Sequence, residues 1–582
     1  MTGRKSPGRW EGIVLARSRV GRSPVPAVCV ALTLGILAPV LTPGFVLVYD
    51  MSFVPRQTLL PEALGLGTGM PRAVPADALV ALATEIVPGD IVQKLVLCGL
   101  VFAGALGAAR LVPSQSTLTG SVAAVAYTWN AFLAERLLIG QWGLLVGYAA
   151  LPWVAAAGLR LRERPGVRQW AGLVVASLPA VITPTGGLLA AGVALAAAGW
   201  RRAPGVLGIG LVLNAPWWLP AMLRGGAGVS DPAGVTAFAV RGEGWAGPVV
   251  SVLGLGGIWN AEVTPGSRSN PVLPVFTLLI AGLAVWGLVL LHRRWGAAAR
   301  GLLVLAGLGL TLALLGSFPG LSTVLEQAVA HLPGAGLLRD GQKWAAWWAL
   351  PMALGFSLAI EWLRELTNDQ MARFAIGAGA LLLPVAILPD LAWGVSGRLD
   401  PVAYPRDWQV VSAILARDKT PGDVLTVPLS AYRRFSWNAD RTQYDPALRY
   451  LPRPTVIADS LKVGPIVVSG EDLRAARITR AAARGEPLGP LGVGWVLMEH
   501  GTPGPRVRLD GLHPIYHGRW LSLYRTSGKV LPGTGWPTTT PLVVATDLTV
   551  ATFGLVAGLG LLLPFGRLTA SRGSVTSRRE GE

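Results

Sequence analysis

The sequence predicts a polytopic α-helical membrane protein of about 12 transmembrane helices with a C-terminal extracytoplasmic α/β domain. Three observations carry that reading. Apolar residues make up 52% of the 582 residues and charged residues only 14%, against about 25% charged in soluble domains. The charge is missing in blocks, with long uncharged windows separated by short windows rich in Arg. Those basic windows also alternate along the chain in the way a single membrane orientation requires.

Taken in order, residues 1–25 form a basic leader (Arg4, Lys5, Arg9, Arg17, Arg19, Arg22) on the cytoplasmic side. The apolar run that follows is long enough to span, and no small-residue cleavage site leads into a polar mature sequence, so it is read as a retained helix and not a cleaved signal. Spans are predicted at 26–48, 91–112, 117–131, 142–160, 169–183, 186–200, 204–222, 271–291, 299–316, 344–362, 372–392 and 541–565. With the N-terminus inside, the even-to-odd connectors are cytoplasmic, and each is basic: Arg110; Arg160, Arg162, Arg164 and Arg168; Arg201 and Arg202; Arg293 and Arg294; Arg364 and Arg373. The tail 566–582 adds Arg567, Arg572, Arg578 and Arg579, so both termini of this plasma-membrane protein are cytoplasmic.

The same topology explains the net charge of +18 without a nucleic-acid partner. Cys29 and Cys98 both lie in apolar runs, so neither a disulfide framework nor a zinc site is expected. Gly254-Leu255-Gly256-Gly257 lacks the strand–helix context of a nucleotide loop, which argues against an ATP-driven pump.

The multi-span region is 26–392, with outer segments 49–90, 223–270 and 317–343. The stretch 393–540 is a domain. Strand-like runs at 424–427, 455–457, 466–468 and 493–497 alternate with helix-like runs at 407–416 and 471–483, and turns such as Pro421-Gly422-Asp423 separate them.

Polar groups gather in the outer segments. Asp50 stands in Tyr49-Asp50-Met51-Ser52-Phe53-Val54-Pro55-Arg56, directly after the first predicted span, and Arg56 is a cation of the same segment. Asp50 is otherwise an ordinary loop carboxylate. The rest of that loop, including Ala76 to Ala83, reads as amphipathic surface helix. Arg339 and Lys343 flank Asp340 just before a span, although short outer loops disfavour cations. They are either a phosphate grip or an Arg–Asp pair with a snorkelling Lys. Glu135 and Arg136 sit in a short, polar hairpin between spans, where they either pair with each other or face the cavity of Asp50. Trp259 and Glu262 offer a stacking surface and a carboxylate, and Trp at an interface is also belt material. Tyr432-Arg433-Arg434-Phe435 reads as a strand edge with solvated Arg, or as an anion- or glycan-binding patch.

An acidic residue in a long first outer loop with surface helices, on a multi-span chain with a C-terminal outer domain, resembles the GT-C class of membrane glycosyltransferases. The resemblance is to the bacterial, and within it actinobacterial, cell-envelope type. It implies transfer of a hexose or pentose from a polyprenyl-phosphate donor to an envelope glycan or glycolipid acceptor on the extracytoplasmic side. It assigns Asp50 as general base or metal ligand, and Arg339 and Lys343 as phosphate contacts. Arg56, Glu135, Arg136, Trp259 and Glu262 are the remaining substrate-binding candidates. If a divalent cation is used, oxygen ligands favour Mg or Mn. Two other readings stay open: a transporter or flippase of a lipid-linked sugar, and a non-catalytic envelope assembly or glycan-binding protein.

Overall fold

The computed structural model describes residues 24–563, apart from 225–227, 506 and 509. The basic leader and the basic tail lie outside the described residues. Among those described, seven helices are long and apolar enough to cross a membrane: Gly89–Leu111, Trp142–Glu163, Leu273–Trp295, Ala297–Ser317, Gly341–Glu365, Gln370–Ile387 and Thr540–Leu562. An eighth would be the pair Trp200–Leu213 and Ala215–Leu223, bent by 64°. The other predicted spans become shorter helices, Val25–Leu41, Thr117–Thr128, Val167–Ser177 and Pro184–Ala198.

The first predicted span is thus cut short. Its helical turns stop at Leu41, before Thr42-Pro43-Gly44. Proline disfavours helix at the residue before it and cannot donate the next backbone hydrogen bond. The chain then runs extended, and Phe45 pairs with Val402.

Helix Gly341–Glu365 is the axis of the helical body, packed between Leu273–Trp295, Ala297–Leu314 and Thr117–Thr128. Small residues permit the closest approach. A Cβ on Gly287 would stand 1.7 Å from the Gly355 carbonyl oxygen, so the two backbones touch.

Among its described residues the C-terminal region contains nine strands: β1 (Asp423–Val427), β2 (Tyr432–Arg434), β3 (Thr442–Tyr444), β4 (Thr455–Val456), β5 (Leu461–Val463), β6 (Ile466–Val468), β7 (Val493–Glu499), β8 (Leu512–His517) and β9 (Leu521–Thr526). The main sheet has the order β4-β1-β7-β9-β8, with β1 parallel to β4 and β7, and β9 antiparallel to β7 and β8. Alternation sends Val424, Trp495 and Leu497 toward helix Arg406–Arg417, and Leu425 and Val496 toward helix Leu473–Arg484, where the register shift at Gly494 places Val493 as well. Both faces are therefore covered, which accounts for the nearly unbroken apolar run of β7. Val54 of the first loop enters the core beneath Trp408, joining the sheet to the helical body. The hairpin β2–β3 stands apart from the sheet and leans on the first loop, where Tyr49 pairs with Gln443.

Candidate active site

Asp50 is placed by two distant segments. Val48 and Met51 bond to each other across a tight turn, with Tyr49 and Asp50 at its corner. Tyr49 has φ +38°, a strained value for a side-chain-bearing residue. The strain is held by β3: Tyr49 N–H donates to the Thr442 carbonyl at 2.6 Å, and Tyr444 N–H donates to the Tyr49 carbonyl at 2.7 Å. From the other side Asp50 N–H donates to the Ile139 carbonyl. Gly140 there has φ +76°, and any Cβ would lie 2.3 Å from Met51 N, so a larger residue would push the turn away.

Tyr432 Oη donates to Asp50 Oδ1 at 2.7 Å, and Gln141 Nε2 approaches Oδ2 at 3.4 Å. Burial beneath the β2–β3 hairpin pushes the Asp50 carboxyl above its ordinary range. The Tyr432 and Gln141 hydrogen bonds and the charges of Arg449 and Arg72 oppose that shift. Arg72 is 63% exposed at its side chain, yet it acts on Asp50, Tyr432, Tyr444 and Lys343 alike. An exposed guanidinium within electrostatic range of all four groups marks the solvent-facing side of this cluster, the cleft of Asp50.

Behind Asp50 runs a buried polar chain. Asn130 caps helix Ala131–Leu138 by accepting from Leu133 N–H at 3.0 Å. That helix carries Glu135 and Arg136, both without exposed surface. They do not pair with each other. Arg136 grips Asp340 through two bonds of 2.6 and 2.9 Å, donates to Gln342 Oε1, and donates to Gln141 at 2.5 Å. Burial would raise the Asp340 carboxyl, but Arg136 holds it below the usual range. Glu135 accepts from Ile258 N–H and Gln342 Nε2, both at 3.2 Å. Burial and the neighbouring Glu243 push it well up, whereas Glu243, despite burial, is held down by Arg268 at 2.6 Å. Arg136 therefore reaches Asp50 only through Gln141, as a positioning residue.

The remaining sequence candidates divide. Lys343 is buried and, among the described residues, has no carboxylate within ion-pair distance; its ammonium lies 6.0 Å from the Trp344 ring. Arg339 lies within electrostatic range of Lys343, but Glu471 of the C-terminal region holds its guanidinium at 2.8 Å. Arg56 pairs with exposed Glu85 away from the other candidates. Glu262 accepts from Tyr49 Oη at 2.6 Å and from Arg434, at the exposed rim behind the turn. Trp259 packs edge-on against Phe238 at 5.0 Å, beneath Arg339. The sequence does not mark Arg72 and Arg449, and it marks Gln141, in the polar hairpin, and Tyr432 without joining either to Asp50. In the Tyr432-Arg433-Arg434 patch, Arg433, read as solvated, is wholly buried against Asp445 and Glu499.

The fold is shared with a solved protein. A cryo-EM structure of a mutant of arabinofuranosyltransferase AftD from mycobacteria superposes with a TM-score of 0.56 at 18% identity, over 88% of this chain and 42% of that one. The chain thus spans less than half of that protein's length, and at this identity the likeness is one of fold. No protein-family model and no curated protein matches the sequence. The GT-C resemblance read from the first loop and the span pattern is matched at the level of three-dimensional architecture.

A divalent cation would need about six oxygen ligands. Among the described residues no three His, Cys, Asp or Glu side chains converge. Asp50 is flanked by the donors Tyr432 and Gln141 and by the guanidinium groups of Arg449 and Arg72. This set of donors and guanidinium groups does not fit a metal ion held by the chain's own side chains alone.

Removing the Tyr432 hydroxyl tests the Asp50 contact. Tyr432→Phe is expected to raise the Asp50 pKa further, since the lost hydrogen bond favours the ionised form. The acid limb of kcat/KM would then move to higher pH, with kcat reduced about tenfold. An unmoved limb would mean that the contact does not govern Asp50.

Proposed function

We propose that the chain is a glycosyltransferase that moves a sugar from a polyprenyl-phosphate donor to a cell-envelope glycan or lipid acceptor on the extracytoplasmic side of the plasma membrane. The observation that supports this reading is the half-buried carboxylate Asp50, held by the Tyr432 hydroxyl at 2.7 Å, with the guanidinium of Arg72 in electrostatic range of it and of Lys343, which has no ion pair among the described residues. The acceptor hydroxyl would give its proton to Asp50 as its oxygen bonds to the anomeric carbon. The bond from that carbon to the phosphate oxygen breaks, and the lipid phosphate leaves with the electron pair. Lys343 and Arg72 would stabilise the charge that develops on it. A single displacement inverts the anomeric centre.

The 64° break at Leu213–Ala215 is the feature that favours a transporter. The groove beside it is lined by Ser177, Gly187, Ala190, Ala194, Gly210 and Asn214, with no ionisable group.

The test is sugar release by purified, detergent-solubilised protein from a panel of polyprenyl-phosphate sugars. Turnover of one donor is expected. Lys343→Ala should cut kcat by about 100-fold, and Arg56→Ala, at an exposed pair, by less than about twofold. Folded wild-type protein that releases no sugar from any donor would reject the enzyme in favour of the transporter or binding readings.

A further inference from the structure

Glu471 occupies an unusual place. It precedes helix Leu473–Arg484, whose N-terminus Asp472 caps by accepting from Arg474 N–H and Ala475 N–H. One carboxylate oxygen accepts from Arg72 at 2.7 Å; the other accepts from Arg339 at 2.8 Å and from the Ser230 hydroxyl at 2.7 Å. Two guanidinium groups and a hydroxyl, brought from three separate segments onto one small anion, are the donors that phosphate recognition uses. Burial alone would raise the Glu471 carboxyl, but Arg72 and Arg339 bring it down to about 2, so it is ionised at any pH of interest.

The two arginines differ in freedom. Arg339 is 12% exposed, braced over the Phe238 ring and bonded to the Gly336 carbonyl. Arg72 is far more exposed and stands on the loop before helix Ala76–Thr84; both arginines lie in electrostatic range of Lys343, but Arg72 is the one in range of Asp50 as well. A phosphodiester carries the same single charge as Glu471, and a phosphomonoester at least that much, so either can replace Glu471 without leaving Arg72 unpaired.

Resting on the reading of the cleft as a phosphate-binding site, we propose that Glu471 is an internal stand-in for the donor phosphate. It holds Arg72 in the empty protein and yields it when a phosphate enters beside Lys343. The C-terminal region thereby competes with substrate for Arg72, and donor binding loosens one of its ties to the helical body.

The sign of one substitution separates this from a purely structural latch. Binding of farnesyl monophosphate, with farnesol as the uncharged control, is measured on the full-length protein in detergent. Glu471→Gln is expected to bind the phosphate about tenfold more tightly, because Arg72 is released. Arg72→Ala should bind more weakly, and Glu471→Gln placed in the Arg72→Ala background should gain nothing. If Glu471→Gln does not melt cooperatively, Glu471→Asp, which keeps the charge but retracts it, is expected to gain about threefold. Wild-type protein that binds through Lys343, with Glu471 variants binding equally or more weakly, overturns the inference alone. Farnesyl monophosphate bound no better than farnesol by wild type, Glu471→Gln and Lys343→Ala overturns the phosphate reading of the cleft and the inference with it.

Discussion

Asp50→Asn is expected to reduce kcat by about 10³-fold or more, with little change in melting temperature. The amide is nearly isosteric and its oxygen still accepts from Tyr432, so the turn at Val48–Met51 keeps its pairing with β3. What disappears is the group proposed to take the acceptor proton. Because burial pushes the Asp50 carboxyl up, wild-type kcat/KM should fall as pH drops through a point above the ordinary carboxylate range. The residual rate of Asp50→Asn should be flat there. A folded Asp50→Asn protein with wild-type turnover would remove Asp50 from the chemistry altogether.

The largest effect on stability is expected at Arg433, whose side chain and both carboxylate partners, Asp445 and Glu499, have no exposed surface. Arg433 also donates to the Thr426 hydroxyl at 3.1 Å. Replacing it with Met leaves two carboxyl groups facing each other in the interior, at a cost of about 3–5 kcal/mol. Glu499 is already pushed well above its usual range by burial, and the loss of Arg433 would raise it further. Since Tyr432 is the adjacent residue of the same strand, activity should fall along with the melting temperature. Arg434→Met is the internal comparison. Its partner Glu262 is 58% exposed, and removing that pair should cost less than about 1 kcal/mol. Equal melting temperatures for the two variants would show that the buried cluster contributes nothing.

The two arginines also mark how far the sequence could be read. Charge-free runs announced the long helices, because hydropathy is a local property. Asp50, Glu135, Arg136 and Lys343 stood out as polar groups in otherwise apolar surroundings. Who meets whom was not local. Tyr432 and Asp50 are 382 residues apart, and Arg136 and Asp340 are 204 apart. Arg433 and Arg434 look alike in sequence, but strand alternation sends one into a sealed ion cluster and the other to the rim. Arg56 is the nearer cation to Asp50 along the chain, whereas Arg72 is the one that reaches the cleft, after Gly65 to Pro71 turn the loop back. The end of the first helix was legible in retrospect from Pro43 and Gly44, had the turn chemistry been weighed above hydropathy.

The turn that presents Asp50 is stitched to strand β3, and this has a bearing on biogenesis. Asp50 leaves the ribosome early, while its partners Tyr432, Thr442 and Tyr444 come about 380 residues later. At about 5–20 residues per second this is an interval of roughly 20–80 s. During that time the helices can enter the bilayer, but the carboxylate has neither its strained backbone nor its tyrosine. A half-made or truncated chain therefore lacks the contacts that hold Asp50, and the site is assembled only once strands β2 and β3 have folded back onto the first loop.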